Sequence, residues 1–456
     1  MRSISPDKIA EKDLLGRDKF AHQIVNSLMH VFQYQVESLV IGIAGQWGTG
    51  KSTLLSFIEK HLHEAYNHNL ENYRVIRFNP WASTSVDVDD IQRSLLETVI
   101  KELEQIKWKH QIKEADNKIK NYLKYLQYLK FLKHVHPVTE KIGNALEEYL
   151  KNSSVDTVDE VKRQAEQLLK EKGIQLFIMV DDLDRLTPEE ITAIFKVIKM
   201  NLNFVHTHFI VAYDKQVVIE ALKKKFGNNA EDYLEKIIQV DFTMPEILEE
   251  HISAIFFSRL IKLIDSLEIK LEIRHIESLW RYHGLQEYFR TIRDINRYFN
   301  SLVFSLPNIG NDINIADFLT LEAIKVFDYH AYDKLYLDFV SKRREAVWGS
   351  SAFDAKALQE YSNTTTKALL QFLIPLNQYD KIRYSSIQDK RLHDPEFFPR
   401  YYSLYIPSHD ITEETLARFL QVGKNRKQVL SEVVIHGKGI NFLRRLAEPE
   451  LNNSYT

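Results

Sequence analysis

The apolar run Leu39–Ala44 (LVIGIA) is short, uncharged and followed at once by a glycine cluster. That is the pattern of a strand buried on both faces of a parallel sheet. From Lys51 to about Tyr66 the period changes, and Leu54, Leu55, Ile58 and Leu62 form a helical stripe that returns the chain across the sheet. Further strands are predicted at Tyr73–Phe78, Ile174–Val180, Phe209–Tyr213 and Ile237–Phe242. The helix from Pro188 to about Met200 has a start signal: Thr187 caps it, Pro188 takes the first helical position and Glu190 completes a capping box. Another helix begins near Asp214. Five strands alternating with helices predict an α/β fold with a doubly wound parallel sheet, whose ligand sits beyond the C-terminal ends of the strands.

Trp81–Gly173 is too long for a simple crossover, so a helical insertion is expected there. Leu96, Val99, Leu103 and Ile106 continue one helical face, and a capping box at Thr157–Glu160 restarts a helix with Val161, Ala165, Leu168 and Leu169. Beyond Pro245 the pattern is helical, as in Ile247–Leu267 and Thr415–Val434, with breaks at Ser305–Asp312 and around Trp348–Ser351. The expected organisation is a core split between 1–85 and 155–245, an insertion at 86–154, a helical subdomain at 246–310 and a C-terminal helical region at 311–456.

Composition narrows the class. The 456 residues exceed what one compact core accommodates, and only 14 glycines and 11 prolines disfavour a turn-rich sandwich or barrel. With no cysteine, disulfides, thiolate metal sites and a cysteine nucleophile are excluded, and a reducing, cytoplasmic setting is the natural expectation. The first twenty residues carry charges of both signs, so no leader is expected. The longest stretch free of Asp, Glu, Lys and Arg, Phe20–Val36, holds six His, Gln and Asn residues and reads as an amphipathic helix, so no membrane span is expected. A net charge of −3 disfavours a globally basic nucleic-acid binder.

The chemistry concentrates between the first strand and its helix, where Gly45-Gln46-Trp47-Gly48-Thr49-Gly50-Lys51-Ser52 fits GxxxxGK[ST]. Such a loop turns backbone N–H groups inward as an anion nest at a helix N-terminus. Lys51 is expected on the outer phosphates and Ser52 on Mg²⁺, with Thr53 completing the nucleotide-binding set. The bland alternative is a glycine turn that only packs a helix on a strand. Phe177–Arg185 (FIMVDDLDR) is an apolar strand ending in acids. Asp181 is placed to hold Mg²⁺ through water, and Asp182 to orient and deprotonate the attacking water. An aspartate is shorter than a glutamate, so slow hydrolysis or a structural role for Asp182 stays open. Asn79, Tyr213 and Asp214 end neighbouring strands, where they either position water near the γ-phosphate or cap the following turns. Arg293 and Arg297 share a helix face and either approach the nucleotide from the helical half or make surface ion pairs.

With GQWGTGKS, FNPWAS, IMVDDLDRL, AYDKQVV and YLEKIIQVDF in that order, the chain resembles the KAP family of P-loop NTPases. The likeness extends to DLLGRDKFA, RTIRDINRYFN and DPEFFPRYYSLYIPSHDITEETLARFL. It implies an additional-strand core with sheet order 5-1-4-3-2, a trailing helical region, ATP as the nucleotide, and Gly16 and Arg17 near the adenine. Prokaryotic members are often associated with mobile elements and phage exclusion. Many also carry transmembrane helices between the two nucleotide motifs, and here that interval has none. Instead residues 117–139 hold five lysines, no acids, and aromatics at Tyr122, Tyr125, Tyr128 and Phe131. Three readings stay open for that stretch: packing on its own domain or a partner, weak peripheral contact with an anionic membrane, or a nucleic-acid track.

Two smaller signals are assigned to structure. His206 and His208 have the spacing of paired metal ligands but no companions nearby, and are expected to pack. Lys424, Arg426 and Lys427 form a small basic turn that a solvated surface explains. The leading expectation is a Mg²⁺-dependent ATPase that switches conformation or assembly, through self-association or an effector protein, with Arg185 a candidate arginine donor in trans. The competing one is a non-catalytic, nucleotide-stabilised scaffold that recruits an effector.

Overall fold

The computed structural model describes residues 13–32, 37–70, 72–82, 173–200, 205–269, 271–344, 359–374, 390–394, 397–403, 405–406, 410–421 and 426–446, with 91, 94–95 and 98–99 between. The 117–139 stretch, the Thr157 capping box, the predicted break around Trp348–Ser351 and Lys424 lie outside the described residues. The chain divides into two compact units, Lys8–Glu246 and Ile247–Thr456.

The first unit holds α1 (Arg17–Phe32), β1 (Leu39–Ala44), α2 (Lys51–Ala65), β2 (Tyr73–Phe78), β3 (Gln175–Val180), α3 (Pro188–Met200), β4 (Thr207–Tyr213), α4 (Lys215–Phe226), α5 (Ala230–Glu235) and β5 (Val240–Thr243). The strands form one parallel sheet in the order β5-β1-β4-β3-β2. β1, β3 and β4 are buried along their whole length, as their uninterrupted apolar runs predict. Successive residues nonetheless serve opposite faces. Leu39, Ile41, Ile43, Phe177, Met179, Ile210 and Ala212 pack with α1 and α2, while Val40, Ile178, Val180, Phe209 and Val211 pack with α3 and α4. Ile91, Leu95 and Val99 join the second of these clusters.

Register brings the chemistry to one edge. Phe78 pairs with Val180 and Ala44 with Tyr213, so Asn79 and Asp181 leave the sheet side by side, as do Gly45 and Asp214. The backbone bonds Gly45 N to Tyr213 O (3.0 Å) and Asp181 N to Phe78 O (3.1 Å) extend that register past the strand ends.

The capping box of α3 forms, Thr187 N donating to Glu190 Oε2 at 2.7 Å and Glu190 N to Thr187 Oγ1 at 3.4 Å. Four predicted boundaries move. β5 spans Val240–Thr243, not Ile237–Phe242, because Ile237 and Ile238 close the turn after α5 by donating to Leu234 O. β3 begins at Gln175 and β4 at Thr207, each one to two residues from the predicted start. The break expected from Ser305 falls at its far end, since the helix runs through Pro307 to Ile309 before a 3₁₀ turn at Gly310–Asp312. Pro307 sits in the last turn, where the kink it forces has little helix left to disturb.

The second unit is helical among its described residues: α6 (Glu249–Ser266), α7 (Ile273–Tyr282), α8 (Ile292–Ile309), α9 (Ile315–Phe327), α10 (Tyr329–Arg344), α11 (Thr364–Leu373), α12 (Phe398–Ser403), α13 (Glu413–Leu420), α14 (Arg426–Ile435) and α15 (Gly439–Leu446). One apolar cluster runs from Ile252 to Tyr401, and α9 lies at its centre with all residues from Ile315 to Ile324 buried. A separate small cluster of Ile411, Leu416, Val429, Val433 and Phe442 holds α13–α15 together. Among the described residues no helix is long and apolar enough to cross a membrane.

Candidate active site

Gly45–Gly50 bridges β1 and α2, and its glycines do different work. Gly48 (φ 84°) and Gly50 (φ 92°) adopt left-handed backbone that a side chain disfavours. Gly45 does not, but a Cβ there would meet Met244 Cγ at 2.6 Å and Thr49 Oγ1 at 2.8 Å. Gln46 O accepts from Thr49 N (3.3 Å) and Thr49 Oγ1 (2.7 Å), which tightens the loop, and Gly50 O accepts from Leu54 N (2.9 Å) to start the helix. Trp47 stands at the tip, 57% exposed. Thr53 lies half-buried in the first turn of α2.

The acids of the β3 end separate into three roles. Asp181 Oδ1 accepts from Asp182 N at 2.9 Å, and burial pushes its carboxyl above the usual range although the nearby Ser52 hydroxyl and that N–H oppose the shift. Asp182 takes a left-handed backbone (φ 56°), with both carboxylate oxygens engaged: Asn79 Nδ2 donates to Oδ2 at 2.8 Å, and the Arg185 guanidinium lies 2.8 Å from Oδ1. Arg185 also lies over the Trp47 ring, 5.4 Å from its centroid, linking the phosphate loop to the acidic turn within one chain. Asp184, quoted in the motif but given no role by sequence reasoning, faces Lys51, Oδ2 to Nζ 3.3 Å, with both side chains only 8% exposed. Lys51 Nζ further donates to Gly45 O (2.9 Å) and Gln46 O (3.4 Å).

Tyr213 and Asp214 part company. Tyr213 is fully buried, and burial, then the negative charge of nearby Asp241, pushes its phenol well above the usual range. Asp214 caps α4, accepting from Gln216 N (3.1 Å) and Val217 N (3.5 Å), the capping alternative left open by the sequence. Gly16 (φ 70°) and Arg17 open α1, where Asp13 accepts from the backbone N–H groups of Leu15, Arg17 and Asp18. The Arg17 side chain is buried, 3% exposed, with Nε and one terminal nitrogen lacking a hydrogen-bond partner. Arg293 and Arg297 lie on α8 of the other unit. Arg297 donates to Val326 O at 3.1 Å and lies over Phe327, so a carbonyl and a ring hold it rather than a surface carboxylate.

The donors present fit a nucleotide with a hard cation. Ser52 and Asp181 lie near one another, an all-oxygen pair that suits Mg²⁺, and the loop presents lysine and helix N-terminus to a phosphate chain. Among the described residues no group of three or more His, Asp or Glu could hold a metal by itself. His206 and His208 do not form a metal site: Gln175 Nε2 donates to His206 Nδ1, and His208 Nε2 donates to Gln175 Oε1, both at 2.8 Å.

A parallel five-stranded sheet with β1 between β5 and β4, a glycine loop and lysine at its end, and an acidic strand end two places away define a P-loop NTPase. Residues 17–307, more than half of the chain, match the KAP family P-loop domain, and the chain belongs to that family. It is 26% identical over 330 residues to the phage T7 exclusion protein of Escherichia coli strain K12, a match covering 65% of this chain and 42% of that protein. The chain thus spans less than half the length of that relative. Among solved structures it is similar to the Aeropyrum pernix ORC2 protein in ADPNP–ADP complexes, at 12% identity and TM-score 0.38, over 72% of this chain and 73% of that one. The Pyrococcus abyssi Walker-type ATPase is matched at 12% identity and TM-score 0.33, over 76% and 80%.

Proposed function

We propose that this protein binds Mg·ATP at Gly45–Thr53 and hydrolyses it, and that turnover drives a conformational or assembly switch. The observation that carries this is the convergence of Lys51, the Ser52–Asp181 pair and the Asn79–Asp182 pair at one sheet edge. In this reading the loop N–H groups and Lys51 hold the phosphates. Ser52 and Asp181 would hold Mg²⁺, which would supply charge neutralisation at the phosphate oxygens. Asp182 orients water and accepts its proton, while Asn79 fixes the carboxylate. The engagement of both Asp182 oxygens and its left-handed backbone favour slow turnover, and they keep the nucleotide-stabilised scaffold as the second reading.

Phosphate release and ATP binding are measured together for wild type, Lys51→Ala and Asp182→Asn, with mass followed by light scattering. The switch reading expects Lys51→Ala to lose binding and turnover, and Asp182→Asn to keep binding while turnover falls by about 10²-fold or more. Tight binding without turnover in any assembly state selects the scaffold. The name of the Escherichia coli relative supports phage exclusion as the process. Plating of T7 on cells expressing wild type or Lys51→Ala tests it, and equal plaque counts would remove it.

A further inference from the structure

Lys51 carries three N–H donors and has three protein acceptors: Gly45 O at 2.9 Å, Gln46 O at 3.4 Å and Asp184 Oδ2 at 3.3 Å. A phosphate that takes this ammonium must displace at least one of them. The two carbonyls belong to the loop itself, whose path is fixed by the Gly45 N–Tyr213 O bond, the Thr49 contacts to Gln46 O and the approach of Met244 to Gly45. Asp184 is different. Its carboxylate swings on side-chain torsions from the 3₁₀ turn Leu183–Arg185, and it alone of the three acceptors carries a negative charge. It therefore competes with phosphate in kind.

We propose that Asp184 is an internal competitor for Lys51, a positioning residue that sets how much anionic charge a nucleotide must bring before the phosphate lysine is released to it. This rests on the nucleotide reading above. With both side chains 8% exposed, water screens the pair little, so the competition is stronger than at an open surface. The turn that carries Asp184 also carries Arg185, which contacts Asp182 and lies over Trp47. Asp184 thus stands on the same turn as the arginine that holds the proposed water-activating carboxylate, which puts phosphate capture and the acidic site on one short segment.

The test is ATP affinity in EDTA, where Mg²⁺-dependent turnover is absent, by titration calorimetry on the full chain. Asp184→Asn and Asp184→Ala are expected to bind about tenfold more tightly than wild type, the low end for a close charge pair. Asp184→Glu keeps the competitor and should stay near wild type. In the Lys51→Ala background, where binding is expected to be lost, the Asp184→Asn change should restore none of it. Equal or weaker binding by both neutral variants, with thermal melts like wild type, overturns the proposal. So does a gain of the same size without Lys51, or loss of the fold in both neutral variants, which would make the pair a structural requirement. If wild type itself binds no ATP, the nucleotide reading falls; if wild type binds and the neutral variants gain nothing, only the competitor falls.

Discussion

At the residue scale, glycines of the phosphate loop that look equivalent in the sequence face different constraints. Gly50 needs its left-handed backbone, and Gly50→Ala should cost about 1–2 kcal/mol of stability in denaturant unfolding. Gly45 needs space instead, because Met244 Cγ and Cβ lie 2.6 and 2.9 Å from where its Cβ would stand. Gly45→Ala should therefore shift the loop and weaken ATP binding by about tenfold. Adding Met244→Ala should recover part of that loss, and an unchanged Kd for Gly45→Ala would show that the loop yields without consequence. The motif marked both glycines, but only the fold brings Met244 from the end of β5 beneath the first. Asp184 is the same kind of case: the sequence offered three acids within four residues, and three-dimensional reach selected the one facing Lys51.

At the scale of elements, β3 and β4 are tied at their starts by Gln175 bridging His206 and His208. His208 is buried against Phe32 and Phe177, and burial, then the neighbouring His206, lowers its imidazole to about 3. The folded chain thus holds His208 neutral while the unfolded chain protonates near the usual 6.5. Stability from this group is intact above the unfolded value and is lost as pH falls from 6.5 towards 3. At pH 5 the loss is about 2 kcal/mol, read as the extra fall in unfolding free energy of wild type relative to His208→Gln between pH 7 and 5. Parallel curves for the two proteins would reject this account. The alternation of the histidines was visible in the sequence; the glutamine joining them was not, since Gln175 lies 31 residues before His206.

For the whole molecule, the helical unit buries charge as well as apolar surface. Asp317 on α9 is fully buried and accepts from Arg391 Nε and Leu392 N, both at 2.7 Å. Burial still pushes its carboxyl above the usual range, outweighing Arg391. Arg391 also donates to Phe372 O at 2.8 Å and lies over the Phe372 ring, so one guanidinium joins α9 and α11 to the segment before α12. Arg391→Met should cost about 3–5 kcal/mol, because it leaves a buried carboxylate unpaired. Adding Asp317→Asn should recover much of that cost in denaturant unfolding, and a single-variant cost under about 1 kcal/mol would mean that the pair adds little.

The alternation of strands and helices, the phosphate loop and the acidic strand end are legible in the chain alone. Each is encoded by neighbours a few residues apart, through period, capping and the need of glycine for unusual backbone. The sequence also carried the family likeness, from which the sheet order followed. Tertiary structure decided what depends on distant segments meeting. The turn of Ile237 and Ile238 onto Leu234 delays β5, Asp184 reaches Lys51 across 133 residues, and Asp214 caps a helix while Asn79 and Arg185 take both oxygens of Asp182. Local pattern fixes which residues stand at the sheet's C-terminal edge. Which of them touch depends on strand register and side-chain reach, and those are properties of the packed chain.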